Sequence, residues 1–302
     1  MNNLIHILGP TAIGKTALAI KVAQHFNTEI ISADSRQFYK EMNIGTAVPS
    51  LSELKAAKHH YIQNKSIHQE FSVGDFEKEV IPLIDKLFQD KNPLVMVGGS
   101  GLYIKAITDG LDQFPNIDPH IRENLNQRYA EEGLEKLAEE LRELDPKYAA
   151  KADLQNKQRV IRALEICLGA PHNFSFYRTQ NKKERNFKNI KIGLEANRAI
   201  LYERIEKRVD LMLEMGLLKE AKNLYAHRNL NALNTVGYKE LFAYFDGKCS
   251  LDFAVAEIKK HTRRFAKRQM TWFKKDPEIK WFDYTQDTKT IIHYIEQKTL
   301  AK

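Results

Sequence analysis

Cysteine is almost missing from this sequence. Cys167 and Cys249 are the only two in 302 residues, and neither sits in a CxxC pair or a Cys/His spacing of the metal-binding kind. A zinc finger and a disulfide framework are thereby excluded, and a reducing compartment is expected. No apolar run approaches the roughly 18 residues that a membrane span requires. The opening Met1-Asn2-Asn3-Leu4-Ile5-His6 lacks the basic stretch of a secretory leader, so a cytoplasmic protein without membrane association is expected. Acidic residues are the scarcer charge: 39 Asp+Glu against 47 Lys+Arg leave a formal net charge of +8. That excess hints at a polyanionic partner, although charge alone also serves solubility. Dominant disorder is excluded, because 43% of the residues are hydrophobic and 28% charged, an ordinary globular balance. At about 150 residues per domain, the length suggests two domains, or one core with a large insertion.

Short apolar runs alternate with long helical patterns. Leu4–Leu8, Glu29–Ser32, Leu94–Val97, Ile190–Leu194 and Ile279–Phe282 read as strands, the first ended by Gly9-Pro10 and the third by Gly98-Gly99. Strands separated by helices argue for βαβ crossovers around a parallel sheet, hence an α/β fold with helices flanking the sheet. The stretch from about Asp118 to Lys188 differs. Its segments Ile121–Tyr129, Leu134–Leu144 and Gln158–Leu168 are helical in pattern and rich in charge, with no strand signal between them. It reads as an all-helical insertion, which divides the chain into 1–111, 112–188 and 189–302.

The strongest local signal is Gly9-Pro10-Thr11-Ala12-Ile13-Gly14-Lys15-Thr16, the phosphate-loop spacing of glycine, four residues, then Gly-Lys-Thr. Backbone N–H groups there can close around phosphate oxygens, the helix N-terminus adds its positive pole, Lys15 adds a point charge, and Thr16 offers a hydroxyl to Mg2+. An NTPase of this kind holds its magnesium with an aspartate at the end of a second apolar strand. Leu94–Val97 ends instead in Gly98-Gly99-Ser100-Gly101, so the loop is suited to gripping a diphosphate without nucleotide hydrolysis. Asp34 follows the second strand, and the phosphate loop, Asp34 and Ser100 all lie at strand carboxyl ends, where ligands sit in open α/β sheets. Position alone leaves Asp34 as a general base, a metal ligand or a cap.

Lys259 to Lys275 contains eight lysines and arginines and no acid. On a helix, Ile258, Phe265 and Trp272 repeat every seven residues and are expected to face the core, with Lys260, Arg264 and Arg268 on another side. That face is either a solvated helix surface or a seat for phosphate groups. His59-His60, read as adjacent helical residues, point to different faces and are expected to be structural.

Together these segments resemble the bacterial tRNA dimethylallyltransferases, which modify the adenosine beside the anticodon. GPTAIGKT, SADSRQFY, MNIGTAVP, HHYI, GGSGLYIKAI, QRVIRALEI, LYERIEKRVDLMLEMGLLKEA, TVGYKEL and FAKRQMTWF occur in the family's order from Leu4 to about Phe282. The resemblance implies a phosphate-loop core with a helical insertion, and a monomer that binds dimethylallyl diphosphate and the anticodon stem-loop of tRNA. It implies that Gly9 to Thr16 hold the diphosphate, with Mg2+ at Thr16. Asp34 is then the base on the target amine, with the Ser100 hydroxyl nearby. Asp34, Ser35, Arg36, Gln37 and Ser100 are implied to touch tRNA, as are Gln158, Arg159, Val160, Ile161 and Arg162. The sequence departs from the pattern at Ser100, where threonine is commoner, and at Val48 and Asn234. Leu154-Gln155-Asn156 also replaces the usual Pro-Asn-Asp.

The chemistry fits such a constellation. An exocyclic adenine amine is a poor nucleophile and needs a base as it attacks. The allylic carbon loses diphosphate more readily when the loop, Lys15, magnesium and an arginine such as Arg198 neutralise the growing charge. The target base must be flipped out of its stack, and the insertion, with Arg122, Arg159 and Arg162, is the expected clamp. Two alternatives remain: prenyl transfer to free AMP, and an RNA-binding phosphate-loop kinase or NTPase.

Overall fold

In the strand Asn2–Leu8 (β1), Leu4 and Leu8 point to one face and Ile5 and Ile7 to the other, so both faces must be covered. The computed structural model, which describes residues 1–179 and 181–300, meets that demand with a six-stranded, wholly parallel sheet. Its other strands are Ile30–Ser32 (β2), His59–His60 (β3), Leu94–Val97 (β4), Phe187–Glu195 (β5) and Lys280–Asp283 (β6), in the order β3-β2-β4-β1-β5-β6. β1 is central, with Ile7 opposite Val97 of β4 and Ile192 of β5. Ser32 also lies opposite Val97. The carboxyl ends of β1, β2 and β4 therefore finish side by side.

The helices are Lys15–His25 (α1), Leu51–Ala56 (α2), Val73–Leu87 (α3), Gly101–Thr108 (α4), Pro119–Glu132 (α5), Leu134–Leu144 (α6), Pro146–Ala149 (α7), Lys157–Gly169 (α8), Phe174–Tyr177 (α9), Arg198–Glu214 (α10), Leu217–Leu224 (α11), Tyr238–Phe245 (α12), Leu251–Phe273 (α13) and Thr288–Leu300 (α14). One sheet face packs Ile5, Ile7, Val95 and Ile192 against Leu18 and Val22 of α1, Ile205 of α10 and Ile295 of α14. The other packs Leu4, Leu8, Ile31 and Met96 against Phe76 and Ile84 of α3, Ile104 of α4 and Phe273 of α13. A further helical cluster joins Val209, Leu217, Tyr238, Leu241 and Ile258 to Tyr39 and Met42.

The chain divides into two compact units, Met1–Thr108 with Glu184–Lys302, and Asp109–Lys183. The second holds α5 to α9 around Leu125, Leu137, Leu141, Val160, Ile161 and Leu164. Side-chain caps start its helices. Asp118 accepts from His120 N at 3.0 Å, with Pro119 in the first turn of α5, and Asn156 accepts from Arg159 N at 3.2 Å to open α8. Asparagine caps as well as aspartate, so the carboxylate absent at position 156 is not needed to start α8.

Two expectations need correction. His59 and His60 are not helical: they form a two-residue edge strand beside Ile30 and Ile31, and His60 Nε2 lies 2.6 Å from Glu29 Oε2. The seven-residue repeat on α13 does not mark its buried face. Ile258 is buried, but Phe265 and Trp272 are 38% and 44% exposed, while Ala254, Ile258, Ala266, Gln269 and Phe273 face inward. A straight helix drifts about 20° per seven residues, so a heptad read over two steps slides off the face that spacings of three and four follow.

Candidate active site

The phosphate loop leaves β1 at Gly9 and enters α1 at Lys15. Gly9 has φ +141°, and a Cβ there would stand 2.6 Å from the Leu194 carbonyl oxygen, so the exit from β1 admits only glycine. The loop is tied from three directions. Lys15 Nζ donates to Pro10 O at 2.7 Å, Arg204 Nε on α10 donates to Ala12 O at 2.8 Å, and Thr11 N donates to the buried Gln269 Oε1 of α13 at 2.9 Å. Burial lowers the Lys15 ammonium to about 8; the Asp34 charge opposes that shift and Arg208 adds to it.

Asp34 is held by the junction of β2 and β4. Ala33 N donates to Val97 O at 2.8 Å, and Gly98 lies so close to Ala33 that a Cβ would approach its carbonyl oxygen to 2.5 Å. One Asp34 oxygen, Oδ1, accepts from Arg36 N at 3.0 Å in a local turn, so the residue caps a turn rather than a helix. Its charge also acts on Lys15, on the half-buried Arg208 and on Tyr103, whose phenol burial raises to about 12. Ser100 Oγ accepts from Ser35 N at 3.1 Å and lies 3.3 Å from Ser35 Oγ. The base candidate, the serine hydroxyl and the phosphate-loop lysine thus meet at the ends of three adjacent strands.

Several residues take positions that the sequence did not indicate. Arg198, in the first turn of α10, is exposed; its Nε donates to the Tyr202 hydroxyl at 2.9 Å and its guanidinium lies over the Tyr202 ring. The arginines of α10 that act on the loop and Asp34 are Arg204 and Arg208. Burial disfavours the Arg208 charge, which Asp34 and Glu53 favour. Their spacing is the missed signal: 204 and 208 are four apart, on one face of a helix. Arg36 and Gln37 are committed to the protein. Arg36 donates to Asn231 O and Ala232 O at 3.1 and 3.0 Å, and Gln37 Nε2 to Thr46 O and Ala47 O at 3.2 and 2.9 Å.

At the start of α1, Thr16 is half-buried, and its hydroxyl has no hydrogen-bond partner among the described residues. No cluster of three or more His, Cys, Asp or Glu that could hold a metal occurs among those residues. A cation at Thr16 would therefore take most of its ligands from phosphate oxygens and water, which is how Mg2+ is commonly held, so the residues fit that ion.

The residues of the second unit expected to touch RNA differ in exposure and in partners. Val160 and Ile161 are 0% and 1% exposed, packed in its core, so their side chains cannot meet a ligand. Residues 158–162 of α8 cannot share one face, because five residues span more than one helical turn. Arg122 donates to the buried Glu165 at 3.0 Å, and Arg162 forms an ion pair with the same carboxylate at 3.0 Å while lying over the Phe114 ring. Gln158 and Arg159 remain exposed; Arg159 has only a loose 3.8 Å pairing with Asp153.

Comparison with known proteins places the chain among relatives. The chain is 62% identical over 297 residues to a tRNA dimethylallyltransferase of Christiangramia forsetii, covering 98% of each. It is 55% identical over 301 residues to a tRNA dimethylallyltransferase of Flavobacterium johnsoniae, covering 98% of this chain and 97% of the relative. Among solved structures, a full-length tRNA isopentenylpyrophosphate transferase of Bacillus halodurans matches with a TM-score of 0.73 at 36% identity, covering 99% and 96% of the two chains. A eukaryotic dimethylallyltransferase acting on tRNA matches with a TM-score of 0.79 at 26% identity, covering all of this chain and 78% of that one. The family model for IPP transferase matches residues 37–276, and the chain belongs to that family.

Proposed function

We propose that this protein transfers the dimethylallyl group of dimethylallyl diphosphate to the N6 amine of the adenosine next to the anticodon, in tRNAs that read codons beginning with U, and releases diphosphate. The observation that carries the reading is that Lys15 in a phosphate loop feels the charge of Asp34 at the end of β2, while β4 ends in Gly98-Gly99-Ser100 instead of an acid. A loop that grips diphosphate beside a carboxylate suits displacement of that diphosphate by an amine. The allylic C–O bond breaks, the new C–N bond forms to N6, and the N6 proton passes to Asp34. Loop N–H groups, Lys15 and Arg208 neutralise the departing diphosphate. A magnesium ion held at the Thr16 hydroxyl would add to that neutralisation.

The tRNA is met in this reading by the exposed Gln158 and Arg159 of α8 and by the basic face of α13. Arg264, Lys267, Arg268 and Lys275 there line an open groove of about 410 Å³ with Trp272. We place the enzyme in the cytoplasm as a monomer; its two cysteines are free, and no described helix is long and apolar enough to cross a membrane. The test is incubation of purified protein with labelled dimethylallyl diphosphate and either tRNA or AMP. Label is expected in tRNA alone. Label in AMP would make this an adenylate prenyltransferase, and hydrolysis of ATP without any prenyl transfer would make it an NTPase.

A further inference from the structure

Gln269 is an uncharged residue in the most basic stretch of the chain, and it points away from that charge. It lies on α13, 7% exposed, and its carboxamide joins two segments that no other side chain among the described residues bridges by hydrogen bonds to both. Oε1 accepts from Thr11 N of the phosphate loop at 2.9 Å, and Nε2 donates to Gly99 O at 3.0 Å. The fit is close. A Cβ on Gly99 would stand 2.2 Å from Gln269 Nε2, and one on Gly101 would stand 2.3 Å from the Trp272 ring. Glycines at 99 and 101 thus let one turn of α13, carrying residues 269, 272 and 273, seat against the backbone, with Phe273 buried below.

Ser100 lies between those two glycines, and its hydroxyl accepts from Ser35 N, the neighbour of Asp34. The path from the phosphate loop to the base is therefore short: Thr11, the Gln269 carboxamide, Gly99, Ser100, Ser35, Asp34. Only one end of it is chain-local. The other link, from loop to Gly99, is made by a side chain whose two ends differ chemically. Thr11 N needs an acceptor and Gly99 O needs a donor, and a carboxamide supplies one of each. A carboxylate would set an oxygen against the Gly99 carbonyl, and a hydrocarbon would leave both groups unpaired.

We infer that Gln269 is a positioning residue for the transfer, which sets the spacing between the diphosphate cradle and the Asp34–Ser100 end of the site. The inference rests on the assignment of the loop to diphosphate and of Asp34 to the amine. The effect falls on the reacting geometry and not on RNA affinity, because the carboxamide faces inward while Arg264, Lys267, Arg268 and Lys275 line the outer groove of α13.

The test compares the native protein with Gln269→Leu and Gln269→Glu. The single-turnover rate at saturating donor and tRNA, tRNA affinity by filter binding, inorganic diphosphate affinity by calorimetry and the melting temperature are measured for each. Gln269→Leu is expected to lower the single-turnover rate by roughly 10²-fold, the scale of a misplaced reacting group, and to weaken diphosphate binding, while tRNA affinity stays near native. Gln269→Glu is expected to be as slow near about pH 8 and to recover relative to native toward about pH 6, because a protonated carboxyl again offers one acceptor and one donor and burial raises its pKa.

A rate ratio of Gln269→Glu to native that stays flat across that range would overturn the inference, whether or not the leucine variant folds. So would a leucine variant whose saturating rate matches native, or one that loses melting temperature, tRNA affinity and rate in parallel. Should native protein transfer nothing to tRNA, the reading of the reaction fails instead. The diphosphate titration then still decides, and equal affinity in the native and leucine proteins would overturn the role of Gln269.

Discussion

The Lys15 ammonium answers to its burial and to two charged neighbours at once. Burial lowers it to about 8, Asp34 favours its charge, and Arg208 opposes it. The charged form is the one that attracts diphosphate, and a base with a lowered pKa loses its proton as pH rises through that value. Affinity for inorganic diphosphate is therefore expected to weaken as pH passes about 8, and Lys15→Ala to be weaker throughout and to lack that step, which calorimetry across the range would show. Asp34 is tested by a substitution that keeps its turn. Asp34→Asn can still accept from Arg36 N but cannot take a proton, so transfer is expected to fall by about 10² to 10⁴ with tRNA affinity nearly unchanged. A variant with near-native turnover would leave Asp34 a turn residue only.

At the scale of elements, α8 divides its arginines between two tasks. Arg162 and, from α5, Arg122 share the buried Glu165, whereas Arg159 faces solvent with a loose and exposed partner. An exposed pair of that kind contributes about 0 to 1 kcal/mol, so Arg159→Ala is expected to leave the melting temperature alone. It is expected to weaken tRNA binding and to reduce the slope of log K against log salt by about 0.7. Arg162→Ala withdraws one of two cations from a buried carboxylate and is expected to lower the melting temperature first. Equal melting losses for both variants would place Arg159 among the structural residues too.

The elements themselves were largely legible. The strand at Leu94–Val97 and the helix at Leu134–Leu144 lie where the apolar pattern put them, because buried parallel strands and amphipathic helices leave periodic traces. The phosphate loop was legible for the same reason that it works: backbone geometry forces glycine at fixed spacing. What escaped notice was held by single polar side chains. The two-residue strand at His59–His60 is too short for any period, and Gln269, Arg36 and Gln37 look like surface residues until their backbone partners, distant in sequence, are known.

The sheet-containing unit, the larger part of the molecule, is built around β1, and β1 carries one buried titratable group. His6 is fully buried in the central strand, beside Lys191 of β5, with Nε2 2.7 Å from Asn189 Oδ1 and no hydrogen-bond partner for Nδ1 among the described residues. Burial lowers its pKa to about 4; the Asn189 hydrogen bond opposes that shift, Lys191 adds to it and Asp276 opposes it. Between about 4 and the ordinary value of 6.5, the unfolded chain protonates this histidine and the folded chain does not. The unfolded state then binds more protons, so folding stability must fall as pH drops through that window. At about pH 5 the linkage amounts to about 2 kcal/mol of stability lost relative to pH 7. A His6→Gln variant keeps a partner for Asn189 and has nothing to protonate, so it is expected to lose that much less than native on acidification. Trp272 and Trp281 both lie in the sheet-containing unit, and denaturant titrations followed by tryptophan fluorescence at the two pH values would read its unfolding. Equal acid losses in native and variant would show that the charge is accommodated in the folded strand, by Asp276 or by a shift of the Lys191 ammonium toward Glu278.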